Sequence, residues 1–124
     1  MSRFHSTARS FGYAFTGIKT AFKQEPNFQA HILIAVLVIS AGVFSGLSTS
    51  DWLLLLYAIF FVLILELFNT SIEAIVNLVS PDIHPKAKIA KDVAAAAVLL
   101  AAIQAIIIGA VIFTGKVVLL LQQL

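Results

Sequence analysis

Three stretches without a single charged side chain constrain this chain more than any other feature. They are residues 32–50 (ILIAVLVISAGVFSGLSTS), 52–65 (WLLLLYAIFFVLIL) and 93–115 (VAAAAVLLAAIQAIIIGAVIFTG). A helix crossing the hydrocarbon of a bilayer needs about 20 mostly apolar residues, within a range of about 17–25. The third stretch meets that requirement alone. The first meets it if its Ser and Gly residues face other helices, where small side chains let backbones approach. The second reaches spanning length only by running on through Glu66 and Glu73, and no Gly or Pro interrupts it before Pro81. The expected architecture is all-α, with transmembrane helices at about 30–48, 51–79 and 88–115 in a single integral-membrane domain over residues 1–124.

Composition excludes the alternatives. Hydrophobic residues make up 60% of the 124 and charged residues 11%, against roughly 45–50% and 25% in soluble domains. A chain this short cannot hide so much apolar surface in water, and it is far too apolar to be disordered. Cysteine is absent, which removes disulfides, thiol catalysis and Cys-based metal sites. A net charge of +2 does not identify a partner, and no nucleic-acid partner is expected.

The position of the charges is more informative than their sum. Seven of the eight Lys and Arg residues lie in 1–31 (Arg3, Arg9, Lys19, Lys23) or 80–92 (Lys86, Lys88, Lys91). With three spans these segments share one side, and the positive-inside rule makes it cytoplasmic. The N-terminus is then cytoplasmic, while the Ser48–Asp51 turn and the C-terminus face outward. The first thirty residues show no apolar core followed by a small-residue cleavage site, so they do not read as a signal peptide. Instead Phe11, Phe15, Ile18 and Phe22 form one helical stripe, which predicts an amphipathic surface helix over about 7–24. Glu25-Pro26-Asn27 breaks that helix before the first span.

Two carboxylates stand where lipid should be. Glu66 and Glu73 are two helical turns apart and share a face with Asn69. At ~1.5 Å per residue, Glu66 lies about 22 Å from Asp51 along the helix and Glu73 about 33 Å. The stripe therefore starts below mid-membrane and emerges at the cytoplasmic interface. Ionisable groups in hydrocarbon cost at least a few kcal/mol and mark functional sites by default. A purely structural tie between helices would be met more cheaply by Ser or Thr. Lys91 and Asp92 open the third span at the same mouth. Lys91 is placed to neutralise the carboxylates or to bind phosphate; Asp92 is open to a helix N-terminal role or a catalytic one. Glu25 is within reach of this mouth. His31 enters the first span, and His84 reads as an inert loop residue. Gly109–Lys116 ends like a phosphate-binding loop but has the wrong spacing and lacks the Ser/Thr that should follow.

The text Glu66-Leu-Phe-Asn69-Thr-Ser-Ile-Glu73, His84-Pro-Lys-Ala-Lys-Ile-Ala-Lys91-Asp92, Gly12-Tyr13 and Glu25-Pro-Asn27-Phe28 resembles the prokaryotic diacylglycerol kinase/undecaprenol kinase family of small membrane lipid kinases. The resemblance covers about residues 9–115. It implies a homotrimer in the bacterial inner membrane, each subunit having three spans and a surface helix, with active sites shared between neighbours. It implies transfer of the γ-phosphate of Mg-ATP to a lipid alcohol. By motif match, Glu66 would be the general base. Glu25 and Glu73 would hold Mg²⁺. Asn69 would position metal, phosphates and substrate; Lys91 and Asp92 would serve the nucleotide, and Arg9 and Tyr13 would lie near it. His31 stands where an acid is common in the Gram-negative diacylglycerol kinases. Asn27-Phe28-x-x-His31 and Ile83-His84-Pro85 resemble the undecaprenol kinase branch instead. Asn77 replaces a frequent aspartate. The expected substrate is undecaprenol, with diacylglycerol as the alternative. A small ion or proton transport subunit is the alternative from another class.

Overall fold

Punctuation residues decide where each helix of this chain begins and ends. The structure, a computed structural model, describes residues 3–124, with side chains from Ser6 onward. Four helices account for nearly all of it: α1 (Arg3–Gln24), α2 (Pro26–Phe44), α3 (Thr49–Val79) and α4 (Pro85–Leu121). There is no strand among the described residues. Helices α2, α3 and α4 are each long and apolar enough to cross a membrane.

Several boundaries differ from the sequence expectation, each for a local reason. Helix α1 starts at Arg3 rather than near residue 7, since neither Gly nor Pro interrupts the chain there. Helix α2 starts at Pro26 rather than near 30. Pro is well suited to a first turn, where its missing N–H costs nothing, and Glu25 precedes it in extended backbone. The Gln29 side chain donates to the Phe22 carbonyl at 2.7 Å and ties the break together. Helix α2 ends at Phe44 rather than near 48, because Gly46 turns the chain at φ 60°. Helix α4 begins at Pro85 rather than 88, with His84 as its cap: Nδ1 accepts from the Lys86 N–H at 3.1 Å. His84, expected to be inert, thus has a structural task. Asp92 lies two turns inside α4 and outside its first turn, so the helix-terminus reading of this residue is withdrawn.

The turn between α2 and α3 is closed by a reciprocal capping box. Asp51 N–H donates to Ser48 Oγ at 3.1 Å, and Ser48 N–H donates to Asp51 Oδ2 at 3.2 Å. Ser48→Ala should cost about 1 kcal/mol, read as a lower midpoint of reversible unfolding in detergent, with activity per folded molecule unchanged. Gly42 is buried beside this turn because the Trp52 ring covers it; an added Cβ would meet Trp52 Cη2 at 2.9 Å.

Helices α3 and α4 form the main packed pair, α2 leans on α3, and α1 touches α2 and α3. Lys116 Nζ meets Asp51 Oδ2 at 3.5 Å at one end of the pair. Lys91 Nζ donates to Asn77 Oδ1 at the other. These two contacts set the antiparallel register, in which Glu66 falls level with Ala101 and Asn69 with Val98. Helix α4 runs past the expected end at 115 to Leu121, since neither Gly nor Pro interrupts residues 116–121. The buried faces are narrow. On α3 they run from Leu55, Ala58 and Val62 to Glu66 and Asn69; on α4, Ala94, Val98 and Ala101 lie at the Asn69 end of this seam and Ile112 at the Leu55 end, with Ala21 and Phe28 buried near the α1–α2 junction. Alanines at that seam let the helices approach closely, the usual basis of helix association where no water drives burial.

Candidate active site

Glu66 follows Val62 by one turn on the buried face of α3 and is only 2% exposed. Ala101 of α4 is buried to the same degree, on the helix that packs most extensively against α3. Asn69, one turn further, is also buried. Its Nδ2 donates to Glu73 Oε1 at 3.1 Å, which turns the other amide atom, Oδ1, away from that carboxylate. Oδ1 is buried with no hydrogen-bond partner. An orphaned buried acceptor costs about 1–3 kcal/mol, so this one marks a place where a donor or a cation belongs.

The helix break at Glu25 brings a third carboxylate toward the same place. Glu25 occupies the cap position of α2 but its side chain makes no capping hydrogen bond, which leaves the carboxylate available. Glu25, Glu73 and His31 all lie within electrostatic reach of Glu66. The α1–α2 junction and the middle of α3 therefore converge, and Glu25, His31, Glu66, Asn69 and Glu73 form one neighbourhood.

The remaining expected residues are placed less centrally. Lys91 is level with Asn77, one turn past Glu73 on α3, and its ammonium donates to the Asn77 amide at 2.5 Å. That bond uses one of three donors and none of the charge. Asp92 is exposed and paired with Lys88 one turn earlier on α4. Arg9 and Tyr13 sit on exposed positions of α1, which does not pack on α4 among the described residues. One chain alone thus brings together Glu25, Glu66, Asn69 and Glu73. Arg9 and Tyr13 are not joined to Lys91 and Asp92 within it. Two residues outside the expected site stand beside it: His31, which the sequence singles out only by its place at the head of the first uncharged stretch and by its departure from the acid common in relatives, and Asn77, whose link to Lys91 crosses the interhelix loop.

No group of three or more His, Asp or Glu among the described residues forms a metal cage by itself. Two carboxylates and an orphaned amide oxygen are nevertheless the hard-oxygen donors that Mg²⁺ combines with phosphate oxygens and water. The residues present fit the metal on those terms.

A family model described as prokaryotic diacylglycerol kinase matches residues 12–113. The chain belongs to that family. It is a membrane lipid kinase, and kinases of this kind draw the phosphoryl group from ATP. The matched segment takes in Tyr13, Glu25, Glu66, Asn69, Glu73, Lys91 and Asp92, and leaves Arg9 outside it. A diacylglycerol kinase of Synechocystis sp. is 46% identical over 101 residues, which is 81% of this chain and 58% of that protein. An undecaprenol kinase of Bacillus subtilis is 41% identical over 108 residues, 87% of this chain and 88% of the relative. A diacylglycerol kinase of Pseudomonas aeruginosa is 36% identical over 86 residues, 69% and 70% of the two chains. The chain spans under two thirds of the Synechocystis protein and most of the Bacillus one. The names agree on a lipid kinase and differ on the alcohol. Membership sets aside the transport-subunit alternative.

Proposed function

We propose that this kinase phosphorylates undecaprenol at the cytoplasmic face of a bacterial inner membrane, with Glu66 as the general base. The observation that carries the reading is a carboxylate sealed inside a membrane helix, one turn from an amide that is itself only half satisfied. In the proposed reaction the lipid hydroxyl oxygen attacks the γ-phosphorus of ATP. The bond from that phosphorus to the β–γ bridging oxygen breaks, ADP leaves, and the hydroxyl proton passes to Glu66. Phosphoryl transfer asks mainly for positioning and charge stabilisation. Glu25 and Glu73 would hold Mg²⁺, assisted by Asn69 Oδ1; bound with ATP, the ion would offset charge on the phosphate oxygens. Asn69 orients Glu73 and helps receive the substrate. Lys91 meets phosphate, with Asn77 fixing its position. Asp92, Arg9 and Tyr13 complete the nucleotide side.

Helix α1 is assigned to the membrane surface, since Phe11, Phe15, Ile18 and Phe22 present an exposed apolar stripe suited to the headgroup boundary. The Lys and Arg distribution puts this helix and the 80–92 segment in the cytoplasm. A homotrimer with shared sites accounts for Arg9 and Tyr13, which could reach the Lys91 side through a neighbouring copy.

Undecaprenol is preferred over diacylglycerol on two grounds. His31 and the Ile83-His84-Pro85 turn resemble the undecaprenol kinase branch, and the undecaprenol kinase relative aligns over nearly its whole length. Purified protein in lipid vesicles, given ATP labelled at the γ-phosphate, should phosphorylate undecaprenol with a kcat/KM at least about tenfold above that for dioleoylglycerol, a difference of about 1.4 kcal/mol in transition-state stabilisation. The reverse ranking would assign the chain to diacylglycerol.

A further inference from the structure

Helices α2 and α4 both lean on α3 without packing on each other among the described residues. A cleft of about 180 Å³ stays open between them. Its walls are hydrocarbon, including Ala35 of α2, Leu55, Ala58 and Val62 of α3, and Ala105 of α4. Ala35 on α2 and Ala102 and Ala105 on α4 leave room in it between the larger Ile34, Val38 and Ile106. From Leu55 to Leu63 it follows α3 for about 12 Å. The single polar residue in its lining is His31. That residue also belongs to the neighbourhood of Glu66, and Glu66 is one turn beyond Val62. The His31 and Val62 end of the cleft thus lies about one helical turn along α3 from the buried carboxylate.

We propose that this cleft seats the hydrocarbon next to the reacting hydroxyl of the lipid alcohol, and that His31 is the positioning residue that places the hydroxyl against Glu66. The inference rests on the lipid-kinase reading above and adds the chemical basis of its substrate choice. An alcohol that is hydrocarbon right up to its carbinol carbon, as a polyprenol is, needs one polar partner at the head of the cleft. The imidazole supplies one, as donor or acceptor. Diacylglycerol carries two ester groups within a few bonds of its hydroxyl, and these walls offer their carbonyls no donor, so burying them would go uncompensated. An ordinary diacyl phospholipid carries the same two esters, so the same uncompensated burial disfavours it in this cleft.

The test uses the full chain in vesicles of phosphatidylethanolamine and phosphatidylglycerol. Ala105→Phe fills the cleft and should raise the KM for undecaprenol about tenfold or more while leaving the KM for ATP unchanged. Leu100→Phe, on the exposed side of α4, should change neither. His31→Leu should lower kcat for undecaprenol about tenfold, and His31→Gln, which keeps a donor, should recover most of it. A photo-cross-linking side chain in place of Ile106, which lines the cleft, should capture radiolabelled undecaprenol, and one in place of Leu100 should not. Capture at Ile106 of diacylglycerol or phospholipid as efficiently as undecaprenol, or of a second copy of the chain, would overturn the proposal. So would an Ala105→Phe protein that is folded and unaltered in KM. If the wild type phosphorylates neither alcohol, the functional reading falls, and the cross-linking result alone decides the cleft.

Discussion

Glu66→Gln should leave a folded protein that binds ATP normally and has lost about 10²–10⁴-fold of its lipid phosphorylation, the usual contribution of a general base. The substitution keeps shape and volume and removes only the ability to take the hydroxyl proton. The loss should fall on kcat, with the KM for ATP and for the lipid little changed, because an interaction made only in the transition state has been removed. Stability should move the other way. Glu66 is almost fully enclosed, in a helix long and apolar enough to cross the membrane, where an ionisable group is costly to keep. The Gln variant should therefore resist unfolding in detergent as well as the parent or better. Rates measured with γ-labelled ATP, alongside unfolding midpoints, separate the outcomes. Full activity in the variant would remove Glu66 from the chemistry. Loss of activity together with loss of fold would return it to a structural role.

Much of the architecture was legible because a bilayer imposes simple rules. Length and apolarity alone indicated three spans, and the helical period alone put Glu66, Asn69 and Glu73 on one face. What was hidden depended on contacts between residues far apart in the chain. In the sequence Lys116 only bounds the third uncharged stretch, and the fold alone sets it beside Asp51. Lys91 looked level with Glu73, whereas its bond to Asn77 sets it one turn further on. Asp92 looked like a helix-terminal acid because the start of α4 was read three residues late; Pro85 and the His84 side-chain cap put the true start earlier. His31 was the hardest to weigh. A lone histidine at the edge of an apolar run has no periodic partner, and only the lean of α2 on α3 brings it toward Glu66.

The pair Asn69 and Glu73 yields a second large effect, and its sign distinguishes function from packing. Glu73→Gln removes a proposed metal ligand. Asn69→Leu removes both the hydrogen bond that orients Glu73 and the orphaned Oδ1. Loss of a group that orients a metal ligand typically weakens metal affinity about 10–100-fold. Asn69→Leu should therefore raise the Mg²⁺ concentration for half-maximal phosphorylation by about that factor, with saturating Mg²⁺ restoring part of the rate. Glu73→Gln should shift it further, and excess Mg²⁺ should restore less. Neither rescue should apply to Glu66→Gln, whose defect is in proton transfer. If Asn69 were only a tie within α3, replacing it would weaken the fold and leave the Mg²⁺ dependence alone. The unpartnered oxygen implies the opposite, because leucine removes a buried acceptor whose desolvation costs about 1–3 kcal/mol. Titrating Mg²⁺ at fixed ATP and measuring unfolding on the same preparations decides between them. A less stable Asn69→Leu protein with unaltered Mg²⁺ dependence would take the metal away from this stripe. A protein equally or more stable but demanding far more Mg²⁺ would mean that Asn69 is kept for the metal at the expense of stability.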